Sequence, residues 1–157
     1  MSINTPLVIA IIGALLLLPG CGDQDNAGPP EIRYGDSICA HCGMIISDER
    51  FATATVVEGE RGDMPMIFDD FSCQLDYETG HPHLTIVTRW SHDHASSQWI
   101  PTADLWFVYA KGLITPMASH TAAFSTKPEA EAFAEPIDGQ VLSFDELWSK
   151  KTGDLAP

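Results

Sequence analysis

Residues 51 to 90 read FATATVVEGERGDMPMIFDDFSCQLDYETGHPHLTIVTRW and carry the clearest succession of secondary-structure signals in the chain. Four segments have the pattern of regular structure, namely strands at 51–58, 64–68 and 84–90 and a helix at 71–79. Asp69 and Asp70 stand where a helix N-cap is expected, and Gly80 stands where the helix should end. These residues therefore predict a strand, a strand, a helix and a strand in that order.

The second half of the chain repeats this order. The predicted segments are strands at 105–111, 118–125 and 139–143, a helix at 127–134 and a closing helix at 144–150. Ser125 and Thr126 ahead of Pro128 form a strong helix start. We therefore expect an α+β fold with antiparallel sheet, built from two small tandem ββαβ units and a C-terminal helix. A possible internal duplication relates residues 44–91 to 99–151, and the alternative is a chance similarity of two series of short elements.

The amino-terminal region has the features of an export signal. Residues 1–20 contain no Asp, Glu, Lys or Arg, and 7–18 form an apolar run that is too short to span a bilayer. The run ends in Leu-Pro-Gly-Cys21, which resembles a bacterial lipobox and predicts lipid attachment at Cys21. An ordinary signal peptide with an incidental cysteine is the alternative. We expect a signal peptide at 1–20, a lipid anchor and flexible tether at 21–36 and a folded domain at 37–151, on a bacterial membrane and facing the periplasm.

Charge limits the partners of the chain. It carries eight Lys and Arg against 22 Asp and Glu, for a formal net charge of −14. Binding to nucleic acid requires clustered basic residues, so we expect no nucleic-acid partner. An acidic surface serves solubility and can also assist docking to a basic partner.

The segment Cys-Ala-His-Cys-Gly-Met at 39–44 places thiols, an imidazole and a thioether within six residues. Thiolate and thioether sulfur favour Cu(I), and Gly43 lets the backbone turn tightly between Cys42 and Met44. The same Cys-x-x-Cys spacing also serves zinc sites, redox pairs and structural disulfides. If Cys21 carries lipid, Cys39, Cys42 and Cys73 remain, and this odd number leaves at least one thiol unpaired.

Four separated segments together resemble the NosL family. They are the lipobox-like 18–21, Cys-Ala-His-Cys-Gly-Met at 39–44, Phe-Asp-Asp-Phe-Ser-Cys at 68–73, and 109–124 with its central Thr-Pro-Met. NosL proteins are lipoproteins that assist the assembly of nitrous-oxide reductase and are understood as copper chaperones. The resemblance covers residues 37–148. It implies a duplicated ββαβ fold and binding of one Cu(I) without turnover of a substrate, so that the protein is not an enzyme. It also implies delivery of copper to nitrous-oxide reductase or to its membrane maturation machinery.

The resemblance also implies a set of copper ligands. Cys42, Met44 and Met117 are the leading candidates for copper ligands. Cys39 is a second thiolate, an entry or exit ligand, or half of a disulfide with Cys42. Three residues are less favoured, namely Cys73, His120 and His41. Cys73 joins the site if the first helix packs beside the Cys-x-x-Cys loop, and is otherwise a small buried residue.

Two further functions compete with the copper chaperone. A thiol-disulfide oxidoreductase would use Cys39 and Cys42, but such enzymes place the motif at a helix start, and the β-branched Ile45 and Ile46 do not predict one. A structural lipoprotein with a Cys39–Cys42 disulfide leaves Met44 and Met117 unexplained except as packing. The histidine pairs 81/83 and 92/94 have a spacing that chelates Zn(II) or Cu(II), which defines a possible secondary metal site.

Overall fold

A computed structural model of the protein describes residues 28–153. The predicted signal peptide, and residues 21–27 of the predicted anchor and tether including Cys21, lie outside these residues. The strands are β1 Thr53–Val57, β2 Met64–Phe68, β3 Ile86–His92, β4 Trp99–Pro101, β5 Trp106–Tyr109, β6 Thr121–Phe124 and β7 Gln140–Leu142. The helices are α1 Phe71–Gly80, α2 Lys127–Ala134 and α3 Phe144–Gly153. Within the described range, no helix is both long enough and apolar enough to cross a bilayer.

The strands form two antiparallel sheets, with the orders β2-β1-β3-β4 and β6-β5-β7. In each sheet the first strand of a ββαβ unit lies between the other two strands of that unit. The predicted α+β fold of two tandem units is therefore confirmed, as is the C-terminal helix. The strand β4 was not predicted, because three residues ending in proline are too few to show an alternating pattern.

Local signals account for the ends of the helices. The Asp70 side chain accepts a hydrogen bond from the Ser72 backbone N–H and so caps α1, as predicted for at least one of the two aspartates. The Thr126 side chain caps α2 by accepting from the Glu129 N–H, and Pro128 lies in the first turn. All five residues of β1 are buried, which fits a central strand.

An aromatic cluster joins the two units. Phe71 at the start of α1 packs against Phe107 of β5 and against Phe144 and Trp148 of α3, with ring centroids 5.9, 6.4 and 6.2 Å away. The Arg89 guanidinium lies 5.1 Å from the Trp148 ring. Because α1 belongs to the first unit and the other rings belong to the second unit and α3, the two units share one core.

Residues 32–36 pack on the domain, although the sequence analysis placed them in the tether. Ile32 and Tyr34 pack against a buried cluster that contains Cys39. The Tyr34 hydroxyl is 3.2 Å from His92 Nε2, and the Gly35 N–H donates to the Ile46 carbonyl at 2.9 Å. Two apolar side chains separated by a single arginine are too few to define a period, so the sequence pattern alone did not reveal this contact.

Candidate metal centre

Residues 38–45 form a tight hairpin, which we call the Cys loop. Ile38 and Ile45 form an antiparallel bridge, and the Cys39 N–H donates to the Met44 carbonyl at 2.8 Å. Gly43 has a φ of +72°, a conformation that L-residues disfavour, so the tight turn predicted at this glycine is present. The Ala40 N–H donates to the Ile67 carbonyl at 2.8 Å and thereby attaches the loop to β2.

Three thiols meet beside this loop. Cys39 and Cys42 come from the Cys loop, Cys73 comes from the first turn of α1, and their Sγ atoms all lie within 4.8 Å of one another. Cys39 and Cys73 are each only 2% exposed, whereas Cys42 is half-buried. All three are free thiols. We call these three residues the thiol cluster. It brings in Cys73, which the sequence analysis ranked behind the other sulfur residues.

Hydrogen bonds make the thiols of the cluster unequal. The thiol of Cys73 donates to the Cys39 sulfur and lowers the pKa of Cys39, although burial opposes this effect. The same hydrogen bond and burial raise the pKa of Cys73. Backbone groups of the Cys loop and of Asp69 also stabilise the Cys39 thiolate. The cluster therefore favours a thiolate at Cys39, which is the form that binds a metal.

The two methionines of the predicted site occupy different surroundings. Met117 lies in the connection between β5 and β6, and it packs against the buried cluster that contains Cys39 and Cys73. Met44 is 56% exposed and lines a surface groove with Asp69, Thr115 and Pro116. Met66 of β2 packs against the same buried cluster as Met117. The roles of Met44 and Met117 as ligands stay predictions.

The two weaker histidine candidates lie apart from the three grouped thiols. His41 is exposed, and its Nε2 is 3.9 Å from an Asp76 carboxylate oxygen. His120 Nδ1 is 2.8 Å from the Leu113 carbonyl oxygen, and His120 has a φ of +56°. Neither imidazole belongs to the group of donor atoms within 4.8 Å.

The two predicted histidine pairs have different surroundings. His92 and His94 do not face a common point, because the His92 ring packs on Trp99 while the His94 ring packs on Phe124 and Phe133. His92 is buried, and its ring nitrogens contact the Ala52 carbonyl and the Tyr34 hydroxyl. These contacts give no support to a secondary metal site at 92/94, which stays a prediction. The pair 81/83 is exposed, with ring centroids 5.9 Å apart, and stays a prediction.

Fold and site together define a class of small α+β protein in which two ββαβ units support a group of three thiols, two of them buried. A family model described as NosL matches residues 32–151, and the chain therefore belongs to the NosL family. A crystal structure described as the copper chaperone NosL from Shewanella denitrificans has the same fold, with a TM-score of 0.63. The two sequences are 21% identical, and the match covers 76% of this chain and 95% of that one. A search of curated proteins finds no match.

Proposed function

We propose that this protein binds Cu(I) through cysteine and methionine sulfur and delivers it for the maturation of nitrous-oxide reductase. One observation carries the proposal, namely the approach of three thiol sulfurs to within 4.8 Å of one another. Copper is here the cargo of the protein and not a resident cofactor. Membership of the NosL family supports this role, since a structural neighbour is described as a copper chaperone.

The donor set of the thiol cluster favours Cu(I). Among residues 28–153, no imidazole or carboxylate joins these three sulfurs. Soft sulfur donors select Cu(I), whereas a structural zinc site is almost always four-coordinate and would need a further ligand. Copper in this reduced state accepts two or three sulfur ligands, which the cluster and Met117 can supply.

The spacing of the sulfurs fits a bound metal ion after small movements. If all three stood at the 4.8 Å limit, the centre of their triangle would be about 2.8 Å from each sulfur, against about 2.3 Å for a zinc–thiolate bond. Each sulfur would then have to move inward by about 0.5 Å at most. A movement of this size requires no rearrangement of the fold.

The exposure of the sulfurs increases toward one side of the site. Cys39 and Cys73 are buried, Cys42 is half-buried, and Met44 stands at the surface. An incoming ligand from a partner protein therefore reaches copper from the side of Cys42 and Met44. Transfer by stepwise ligand exchange needs such an open side, whereas storage would favour complete enclosure.

The geometry gives less support to a thiol-disulfide oxidoreductase. A redox-active cysteine has to be accessible to the protein or small molecule that it attacks. Cys39 is 2% exposed and lies in a hairpin, not at a helix N-terminus. Its low pKa arises mainly from the hydrogen bond with Cys73. These features suit a metal ligand better than an attacking thiolate.

The same proposal covers the cellular location of the protein and the partners that it binds. The lipobox-like sequence ending at Cys21 supports a lipoprotein anchored in a bacterial membrane and facing the periplasm. The net charge of −14 supports docking to a basic surface of the reductase or of its membrane maturation machinery. Direct transfer of copper to either partner would establish which one receives it.

The first test is a titration of the full chain, reduced and in detergent, with Cu(I) in competition with a chelator of known affinity. X-ray absorption of the loaded protein should show low-coordinate copper bound mainly by sulfur. We expect Cys42→Ser and Met117→Ala to weaken binding, whereas Met64→Ala, at an exposed methionine of β2, should not. Failure of the protein to compete even with a weak chelator would refute the proposal.

A further inference from the structure

We propose that Asp69 and Asp70 are positioning residues for copper binding, with Asp69 holding the Cys loop and Asp70 holding the Met117 loop. The Met117 loop is residues 113–120, between β5 and β6. This inference rests on the proposed binding of Cu(I) by both loops. It assigns a role to two adjacent carboxylates that do not belong to the group of sulfur donors.

The Asp70 carboxylate connects α1 to the Met117 loop. One oxygen, Oδ1, accepts from the Ser72 N–H at 3.0 Å and completes the helix cap. The other, Oδ2, accepts from the Thr115 hydroxyl at 2.6 Å and from the N–H groups of Met117 and Ser119 at 2.9 and 3.3 Å. A helix cap requires only the first of these bonds. The three bonds to Oδ2 therefore fix the loop and not the helix.

The backbone of Met117 is held from both sides. Its N–H donates to Asp70, and its carbonyl accepts from the Ser72 hydroxyl at 3.1 Å. Ser72 is the residue that precedes Cys73. The backbone of the predicted thioether ligand is thus tied directly to the turn of α1 that carries the third thiol.

The Met117 loop needs such restraint because of its conformation. Ala118 and His120 have φ values of +57° and +56°, which L-residues with a Cβ disfavour. The Thr115 hydroxyl also accepts from the His120 N–H at 3.2 Å and lies 3.2 Å from the Ser119 hydroxyl. These bonds form one network around a carboxylate that is fully buried. Removing its charge should release the loop toward ordinary backbone conformations.

Asp69 performs the corresponding task for the Cys loop. It is 3% exposed, and its Oδ1 accepts at 3.1 Å from the N–H of Ser47, two residues after the end of the Cys loop. Asp69 also lines the surface groove that contains Met44. Asp70 has extended backbone angles, φ −160° and ψ 156°. Adjacent side chains in an extended segment point in opposite directions, which explains how the two carboxylates reach different loops.

This arrangement matters for affinity because the cargo is held by flexible donors. A methionine side chain has three rotatable bonds, so its sulfur stays near copper only if its backbone is fixed. Mutation of a group that orients a metal ligand typically lowers metal affinity by about 10- to 100-fold. Asp69 and Asp70 connect the other two sulfur-bearing segments to residues 69–73, which carry the third, and thus prearrange the site.

The decisive variant is Asp70→Asn, because asparagine caps a helix as well as aspartate does. The substituted amide keeps an acceptor for Ser72 but presents an NH₂ group to the three donors of the Met117 loop. We expect Cu(I) affinity of the full chain to fall by about 10- to 100-fold, as for other groups that orient ligands. X-ray absorption should show fewer sulfur neighbours around copper, and amide exchange at Met117 and Ser119 should accelerate.

Asp93→Asn is the matched control. Asp93 is 2% exposed and accepts from the N–H groups of Ser96 and Ser125 at 2.8 Å, but it holds no sulfur-bearing segment. This variant should lower stability and leave Cu(I) affinity and sulfur coordination unchanged. If Asp70→Asn does not fold, Thr115→Val removes the shortest bond to Oδ2 and should weaken Cu(I) binding by about tenfold.

The outcomes separate the two proposals. Wild-type protein that binds no Cu(I) refutes the proposed function and the positioning role together. Wild-type protein that binds Cu(I) while Asp70→Asn and Thr115→Val retain its affinity and sulfur coordination overturns the positioning role alone. A drop in affinity of equal size in Asp93→Asn would also overturn it, because general destabilisation would then explain the effect.

Discussion

Cys73→Ser distinguishes a copper ligand from a buried packing residue. Serine preserves the size of the side chain but replaces a soft thiol with a hard hydroxyl. Cys73 is 2% exposed, and its sulfur is within 4.8 Å of those of Cys39 and Cys42. If copper lies between these sulfurs, the substitution removes one of its three thiolates.

Two magnitudes follow from this position. Mutation of residues that merely orient a ligand costs about 10- to 100-fold in metal affinity, so loss of a ligand should cost at least that much. This factor corresponds to about 1.4 to 2.7 kcal/mol. A hydroxyl buried without a partner also destabilises the fold by about 1 to 3 kcal/mol. We therefore expect a loss of both Cu(I) affinity and stability in this variant.

The assay is chelator competition on the reduced full chain, with urea unfolding measured in parallel without copper. Leu75→Ala is the control, since Leu75 is buried on the same helix and lies outside the thiol cluster. It should lower the free energy of unfolding by about 2 to 5 kcal/mol and leave Cu(I) affinity intact. If Cys73→Ser loses stability and keeps full affinity with unchanged sulfur coordination, Cys73 is a packing residue and its role as a copper ligand is refuted.

Three further predictions concern the scaffold. Phe71→Ala should lower the free energy of unfolding by about 3 to 5 kcal/mol in urea denaturation, because its ring joins the two units, and a loss below about 1 kcal/mol would contradict the shared core. Gly43→Ala should cost about 1 kcal/mol in the same assay, because alanine disfavours the positive φ while its Cβ meets no atom, and an unchanged midpoint would speak against this turn. Burial lowers the pKa of His92 and of His94, so the unfolded chain takes up protons first on acidification. The urea midpoint should reach its full value above a pH of about 6.5, the ordinary histidine pKa, and should fall below it, with a shallower fall in His92→Gln.

Most secondary structure of the domain could be predicted from local pattern. The helix α1 begins at Phe71, where the aspartate cap was expected, and β2 occupies the expected residues 64–68. The two features that were not predicted, β4 and the packing of residues 32–36, depend on distant partners. The strand β4 forms because it pairs with β3. Residues 32–36 are ordered on the domain through contacts with the buried cluster around Cys39.

The candidate site likewise has features that the local sequence predicts and features that it does not predict. The Cys loop and the positive φ of Gly43 follow from neighbours within six residues, so their spacing and chemistry are readable along the chain. The pair 92/94 shows the opposite case, because its regular spacing gave no information about the separate aromatic surroundings of the two rings.

Local sequence was thus sufficient for the order of the ββαβ units, the turn of the Cys loop and the preference for soft sulfur donors. These properties depend on hydrophobic period, capping groups and donor chemistry, which act between residues close in the chain. Tertiary packing alone brought Cys73 beside Cys39 and connected Asp70 to the Met117 loop. Those contacts join segments more than thirty residues apart, and they exist because α1 packs between the Cys loop and the second unit.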